Sequence, residues 1–358
     1  MKSKNLIISS ILIALGIGGF FIWKNILNHE EGKIEIEEGI VPAPSNEVQV
    51  YKGIWMPTSL SNDPNKLDSD IQKLKDIGVN TIFLPAAPPH LERCLEGLPS
   101  DSELAKKLRE IIPIQKEIMI ANIQAAHRNG LRVGLAMTKC FPAAEDITLE
   151  EWDSQVIENA KIAEEYHVEL FAPMNEPEVL FGPSASANWG QEILPKIREV
   201  YHGKVVWKGG AAGDIEPPFG QPGPNFSGYD YVGFTIGVGS GITLQEFPQP
   251  LEEFSQRVDY WLDTVLKYAE RDNCTGVMIT EFYGKLPGRW EENAWTEETE
   301  ARAHEIVLEK GKDKVAGFFA LDFLGLSIFG EDIPGMPNPK KSLKTEEVIK
   351  EWFTEILP

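Results

Sequence analysis

The chain has 358 residues, 42% of them hydrophobic and 25% charged, and its 55 acidic against 34 basic side chains leave a net charge of −21. A polyanion of this kind excludes nucleic acid and anionic membrane surfaces as partners and suits an uncharged ligand, such as a neutral sugar polymer. Three cysteines (Cys94, Cys140, Cys274) and six scattered histidines form neither a zinc pattern nor a disulfide scaffold, so at most one bridge, no metal and no cofactor are expected.

In chain order, residues 1–28 stand apart. After Lys2 and Lys4 the run Leu6–Trp23 carries no charge and is about as long as a membrane-spanning helix needs. Basic residues precede it and the far side soon turns acidic (HEEGKIEIEEG), which predicts that the bulk of the chain lies outside the cell. The run is long for a signal peptide and no Ala-x-Ala site follows, so an uncleaved anchor is preferred to a cleaved leader. In either case the main domain is exported, held at the membrane or secreted. Asn225-Phe-Ser and Asn273-Cys-Thr are then candidate glycosylation sites. Residues 29–48, acidic and then Pro-containing (VPAPSNE), lack apolar periodicity and read as a linker to a domain over 49–358.

From Val50 onward, short apolar runs alternate with amphipathic stretches. The runs begin at Gly53, Thr81, Arg132, Glu169, Lys204, Tyr231, Gly276 and Gly317. Several are continuously apolar, as parallel strands buried on both faces should be. Helical faces lie between them. Leu67, Ile71, Leu74 and Ile77 follow the first run, and Ile118, Ile123 and Ala126 the second. Val156, Ala160 and Ala163 follow the third, and Ile193, Ile197 and Val200 the fourth. Phe254, Val258, Leu262 and Leu266 follow the sixth, Ala303, Ile306 and Val307 the seventh, and Val348, Trp352 and Ile356 close the chain. After the fifth run, GGAAGDIEPPFGQPGPNFSG is too rich in Gly and Pro for a long helix. Eight such units predict a closed (β/α)8 TIM barrel rather than an open sheet of five or six strands, and no GxGxxG follows the first strand to suggest a dinucleotide.

Barrels of this kind carry their chemistry where the strands run out. Two carboxylates stand there directly after apolar runs, Glu176 in Ala172-Pro-Met-Asn-Glu-Pro and Glu281 in Met278-Ile-Thr-Glu-Phe-Tyr. A charge in such a place is costly unless it is paired or used. Cleavage of a glycoside with retention needs such a pair, one carboxyl protonated to donate to the leaving oxygen and one ionised to attack the anomeric carbon. Strands four and seven face each other across an eight-stranded barrel, so their ends can bracket one linkage. Glu178 is a rival acid two residues on.

Asn175-Glu176-Pro177 after strand four, with Glu281 after strand seven, resembles clan A of the glycoside hydrolases. Tyr229-Asp-Tyr-Val-Gly-Phe and Ile279-Thr-Glu-Phe-Tyr-Gly look closest to the family 113 β-mannanases. The resemblance covers about Val50 to Pro358. It implies a retaining enzyme acting on a β-linked polysaccharide or oligosaccharide, with Glu176 as acid/base and Glu281 as nucleophile. It also implies that Asn175 meets the 2-hydroxyl of the sugar.

The chain departs from the clan at Pro85-Ala-Ala-Pro, where an Arg is common, at Thr235 and Ile236, where a His or Tyr is common, and at Asp322, where a Trp is common. Tyr283 is the candidate replacement for the missing phenol, and Lys139 or Lys208 for the missing positive charge. Trp207, Trp290 and Trp55 are candidates to stack on sugar rings, and Asp322 to bind a hydroxyl. The competing reading is a carbohydrate-binding or cell-envelope barrel without catalysis, in which the strand-end glutamates are structural ion pairs with Lys139 or Lys208. A third is a metal-dependent barrel hydrolase or lyase. Oligomeric state is open.

Overall fold

The computed structural model describes residues 39–44, 49–56, 64–90, 109, 112–138, 147–211, 223–237, 251–283, 297–321 and 343–358. Eight strands close into one parallel barrel in chain order. They are β1 (Tyr51–Trp55), β2 (Thr81–Ala86), β3 (Arg132–Met137), β4 (Leu170–Ala172), β5 (Lys204–Ala211), β6 (Tyr231–Gly237), β7 (Gly276–Tyr283) and β8 (Gly317–Leu321). The ring is sealed by parallel pairing of β1 with β8, from Tyr51 opposite Gly317 to Trp55 opposite Leu321. The expected strands are all present. β4 is shorter than its apolar run, and β5 and β7 continue further towards the rim.

The helices follow the predicted faces: α1 (Pro64–Asp76), α2 (Gln115–Arg128), α3 (Leu149–Glu165), α4 (Glu178–Phe181), α5 (Pro183–Arg198), α6 (Leu251–Arg271), α7 (Glu297–Gly311) and α8 (Leu343–Glu351). Among the described residues no helix links β5 to β6, as the Gly/Pro density requires. α3 begins with a capping box: the Thr148 side chain accepts from the Glu151 backbone N–H, and the Glu151 side chain accepts from the Thr148 backbone N–H.

Side-chain parity divides the strands into two cores. Ile54, Ile82, Leu84, Val133, Leu135, Val205, Val232, Phe234 and Ile279 face outward and pack with the helices. Trp55, Phe83, Leu170, Val206, Tyr231, Met278, Phe319 and Leu321 face the barrel axis and fill it. Two glycines make room for the large inner rings. A Cβ on Gly53 would sit 2.2 Å from the Phe319 ring, and one on Gly134 would sit 2.5 Å from that of Phe83. The barrel is therefore a packed core with its accessible chemistry at one end.

The apolar run Leu6–Trp23 lies outside the described residues, as does most of the linker. Among the described residues no helix is long and apolar enough to cross a membrane. The end of the linker rests on the barrel, where Gln124 Nε2 of α2 donates to the Gly39 carbonyl at 2.8 Å. Cys274 is a free thiol, and burial pushes its pKa up to about 11. Cys94 and Cys140 lie outside the described residues. Asn225 and Asn273, which open the two glycosylation tripeptides, are both exposed.

Candidate active site

The segment after β4 is stitched to both neighbouring strands. The Asn175 backbone N–H donates to the Met137 carbonyl and that of Glu176 to the Lys208 carbonyl, each at 2.8 Å. Asn175 also pairs in register with Lys208 as an isolated parallel bridge. Glu176 has a φ of 50°, a left-handed conformation that costs a residue with a side chain about 1 kcal/mol or more. Such strain persists where the surroundings over-determine it, and here two flanking backbone bonds do so. The turn takes the chain off the strand direction, and Pro177 then leads into α4.

Lys208, on the inward parity of β5, is fully buried. An ammonium in such a place needs partners. Its Nζ donates to Asn175 Oδ1 at 2.5 Å and to Glu281 Oε2 at 3.3 Å, and it lies 4.5 Å from the centroid of the Trp55 ring. With no exposed surface it is not a nucleophile that a substrate carbonyl reaches. It is a fixed positive charge under the rim.

Glu281 reaches this charge because β7 is irregular. Met278 faces the axis and Ile279 faces the helices, so strict alternation would send Thr280 inward and Glu281 outward. Instead Phe234 pairs with Ile279 and Thr235 with Glu281, which leaves Thr280 as an extra residue. The bulge places Glu281 against Lys208, while Phe282 returns to the outer core. Register shifts also occur between Lys208 and Ala211 and between Ile279 and Phe282. Bulges therefore cluster at the end of the barrel where these side chains meet.

Thr235 of β6 completes the group. Its Oγ1 donates to Glu176 Oε1 at 3.0 Å and lies 3.4 Å from the Gly209 carbonyl. Glu176 and Glu281 thus share one rim, the first bonded to the residue that pairs in register with the second. The two carboxyls stand in different surroundings. Glu281 Oε2 accepts from the Lys208 ammonium. A hydroxyl that can donate or accept faces Glu176.

The structure separates the remaining candidates. Asn175, Lys208, Glu176 and Glu281 come together. Glu178 does not join them: its oxygens accept from Trp207 Nε1 and the Gly210 backbone N–H, each at 3.1 Å, so it pins β5 from the helix side. Trp207, expected to stack on a sugar, lies on that same side, packed against Phe226 and Tyr229 at ring separations of 5.8 and 5.5 Å. Parity is the reason: with Lys208 inward, its neighbour faces out. Trp55, the second stacking candidate, is buried on the axis beneath Lys208 and edge-on to Phe83, so it supports the charge instead of meeting substrate. Tyr283 ends β7, but its side chain is outside the described set. Lys139, Trp290 and Asp322 lie outside the described residues. Among the described residues no group of three or more His, Cys, Asp or Glu is placed to hold a metal ion. Thr235 entered the sequence reading only as a departure from the clan. Counting parity up β6 from Tyr231 would have found it, because Tyr231, Gly233 and Thr235 share the inward face.

Neither a protein family nor a curated protein sequence matches the chain. Solved structures do. A glycoside hydrolase family 5 mannosidase from Rhizomucor miehei matches with a TM-score of 0.58 at 12% identity, over 86% of this chain and 94% of that one. A family 113 β-mannanase from Alicyclobacillus acidocaldarius matches with a TM-score of 0.54 at 14% identity, over 86% and 98%. A β-glucuronidase from Ruminococcus gnavus gives 0.54 at 15% identity, over 84% of this chain and 49% of that one. The likeness is one of fold, the (β/α)8 barrel that the resemblance to clan A implied.

Proposed function

We propose that the chain is a retaining glycoside hydrolase acting on a β-linked polysaccharide or oligosaccharide. One observation carries the reading: the buried Lys208 joins Asn175, next to Glu176 after β4, to Glu281 in β7. In the first step a Glu281 oxygen attacks the anomeric carbon, and the bond to the leaving oxygen breaks as Glu176 gives that oxygen its proton. In the second, water attacks the anomeric carbon, Glu176 takes the water's proton, and the ester to Glu281 breaks. No cofactor enters either step. The mannanase and mannosidase among the similar structures make mannans the first substrates to test. On the charge pattern around Leu6–Trp23, the domain works outside the cell, held by that segment or released from it.

Treatment with a 2-deoxy-2-fluoro glycosyl fluoride, followed by peptide mass spectrometry, tests the assignment. The expected result is one covalent label on Glu281 and loss of hydrolysis in Glu281→Ala with the fold retained. Full turnover by that variant overturns it. The ion pair between Glu281 and a fully buried Lys208 also suits a second reading, a carbohydrate-binding barrel without catalysis. Glycan binding without labelling would establish that one.

A further inference from the structure

Lys208 does more at this site than balance a charge. An ammonium has three N–H donors and no lone pair, so only the oxygen of the Asn175 amide can face it. The 2.5 Å contact therefore fixes the direction of the whole amide: Oδ1 points down to Lys208 and the NH2 group points away. Asn175 is only partly buried, and among the described residues its NH2 group donates to nothing. The same ammonium is already committed to Glu281 Oε2 and to the face of Trp55. It has no exposed surface with which to meet an anionic substituent.

We propose that Lys208 is a positioning residue that locks the Asn175 amide as a hydrogen-bond donor towards the ligand. The site then presents a fixed N–H donor to an acceptor oxygen of the ligand beside the scissile bond. This rests on the glycosidase reading for the identity of that oxygen, the 2-hydroxyl, but not for the lock itself. The geometry is self-consistent: the Asn175–Lys208 backbone bridge brings the two side chains together, and the bond from Glu176 N–H to the Lys208 carbonyl holds that bridge closed.

The test compares wild type with Lys208→Met, Lys208→Arg, Asn175→Ala and the double variant of Lys208→Met with Asn175→Ala, all in the full chain. The probes are the 2,4-dinitrophenyl β-mannoside, the β-glucoside and the single 2-deoxy glycoside common to both. A lock makes the 2-hydroxyl matter, so wild type favours the 2-hydroxy substrate by about ten- to a hundredfold in kcat/KM relative to its 2-deoxy analogue. Lys208→Met and Asn175→Ala each collapse that ratio, and the double variant collapses it no further. Lys208→Arg, which keeps the donor, retains part of it. A Lys208→Met enzyme slowed equally on both substrates, with its ratio intact, overturns the proposal, because that is the signature of general structural damage. A second readout needs no turnover. In protein labelled with ¹⁵N-asparagine, the Asn175 NH2 signals, identified by their loss in Asn175→Ala, should shift and broaden in Lys208→Met. Unchanged signals overturn the lock. Failure of wild type on every glycoside counts against hydrolysis, and the amide signals then decide the lock by themselves.

Discussion

The Thr235 hydroxyl has one proton for two acceptors, Glu176 Oε1 at 3.0 Å and the Gly209 carbonyl at 3.4 Å. When Glu176 is ionised the proton turns to it. When Glu176 is protonated, the threonine oxygen accepts and its own proton turns to Gly209. Such a partner suits a group that is an acid in one step and a base in the next. Thr235→Val should therefore slow cleavage of poor leaving groups about tenfold, the worth of one hydrogen bond to a charged group. It should spare kcat/KM for 2,4-dinitrophenyl glycosides, whose leaving group departs in the first step without a proton, and Thr235→Ser should recover the loss. Steady-state rates across aryl glycosides of graded leaving-group acidity decide it, and a uniform loss across the series argues against the role. Glu176 and Glu281 drew notice by their places after apolar runs, Asn175 through the resemblance to clan A, and Lys208 as one of two candidates for a positive charge; the structure brings these four together. Trp207 was expected at the substrate, but an aromatic near a strand end faces inward or outward by parity alone, and that parity puts Trp207 outside.

At the scale of elements, the strands announced themselves by continuous apolar runs, and the helices by faces such as Leu67, Ile71 and Leu74, all now buried. What a pattern cannot register is the extra residue Thr280, because a bulge has the same composition as a regular strand. The outer face of β7 shows how closely the rim depends on its backing. Phe282 follows Glu281 and packs on the His304 ring of α7 at a centroid separation of 5.5 Å. Burial pushes His304 down from 6.5 to about 4, against the opposing hydrogen bond to the Glu300 carbonyl. The sign follows from which state binds the proton. Between pH 6.5 and about 4 the unfolded chain is protonated at this ring and the folded chain is not. Stability is therefore intact above about 6.5 and falls as the pH drops, by about 2 kcal/mol at pH 5. His304→Leu should remove that part of the acid sensitivity. Urea unfolding at pH 7 and 5 measures it, and equal losses in wild type and variant would show that the ring does not titrate between the two states.

For the molecule as a whole, identities of 12% and 14% accompany TM-scores of 0.58 and 0.54, so the likeness is one of fold. Closure was inferable because eight repeats exceed what an open sheet usually holds. Substrate choice was not, since it belongs to the loops beyond the strand ends, where no periodicity constrains the chain. Net charge still narrows it. At −21 the protein carries a field that repels polyanions at distances up to a Debye length, about 10 Å in 0.1 M salt. A neutral polysaccharide feels none of this. Affinity for a neutral mannan should accordingly change less than twofold between 0.05 and 0.5 M NaCl, since no counterions are released or captured. An anionic polysaccharide such as polygalacturonate should bind weakly at low salt and gain as the repulsion is screened. Affinity electrophoresis or calorimetry across that range gives both curves. Binding of the anionic polymer that weakens with salt would reveal a basic ligand-binding surface and contradict the preference for uncharged sugars, in which Lys208 is wholly taken up by Glu281, Asn175 and Trp55.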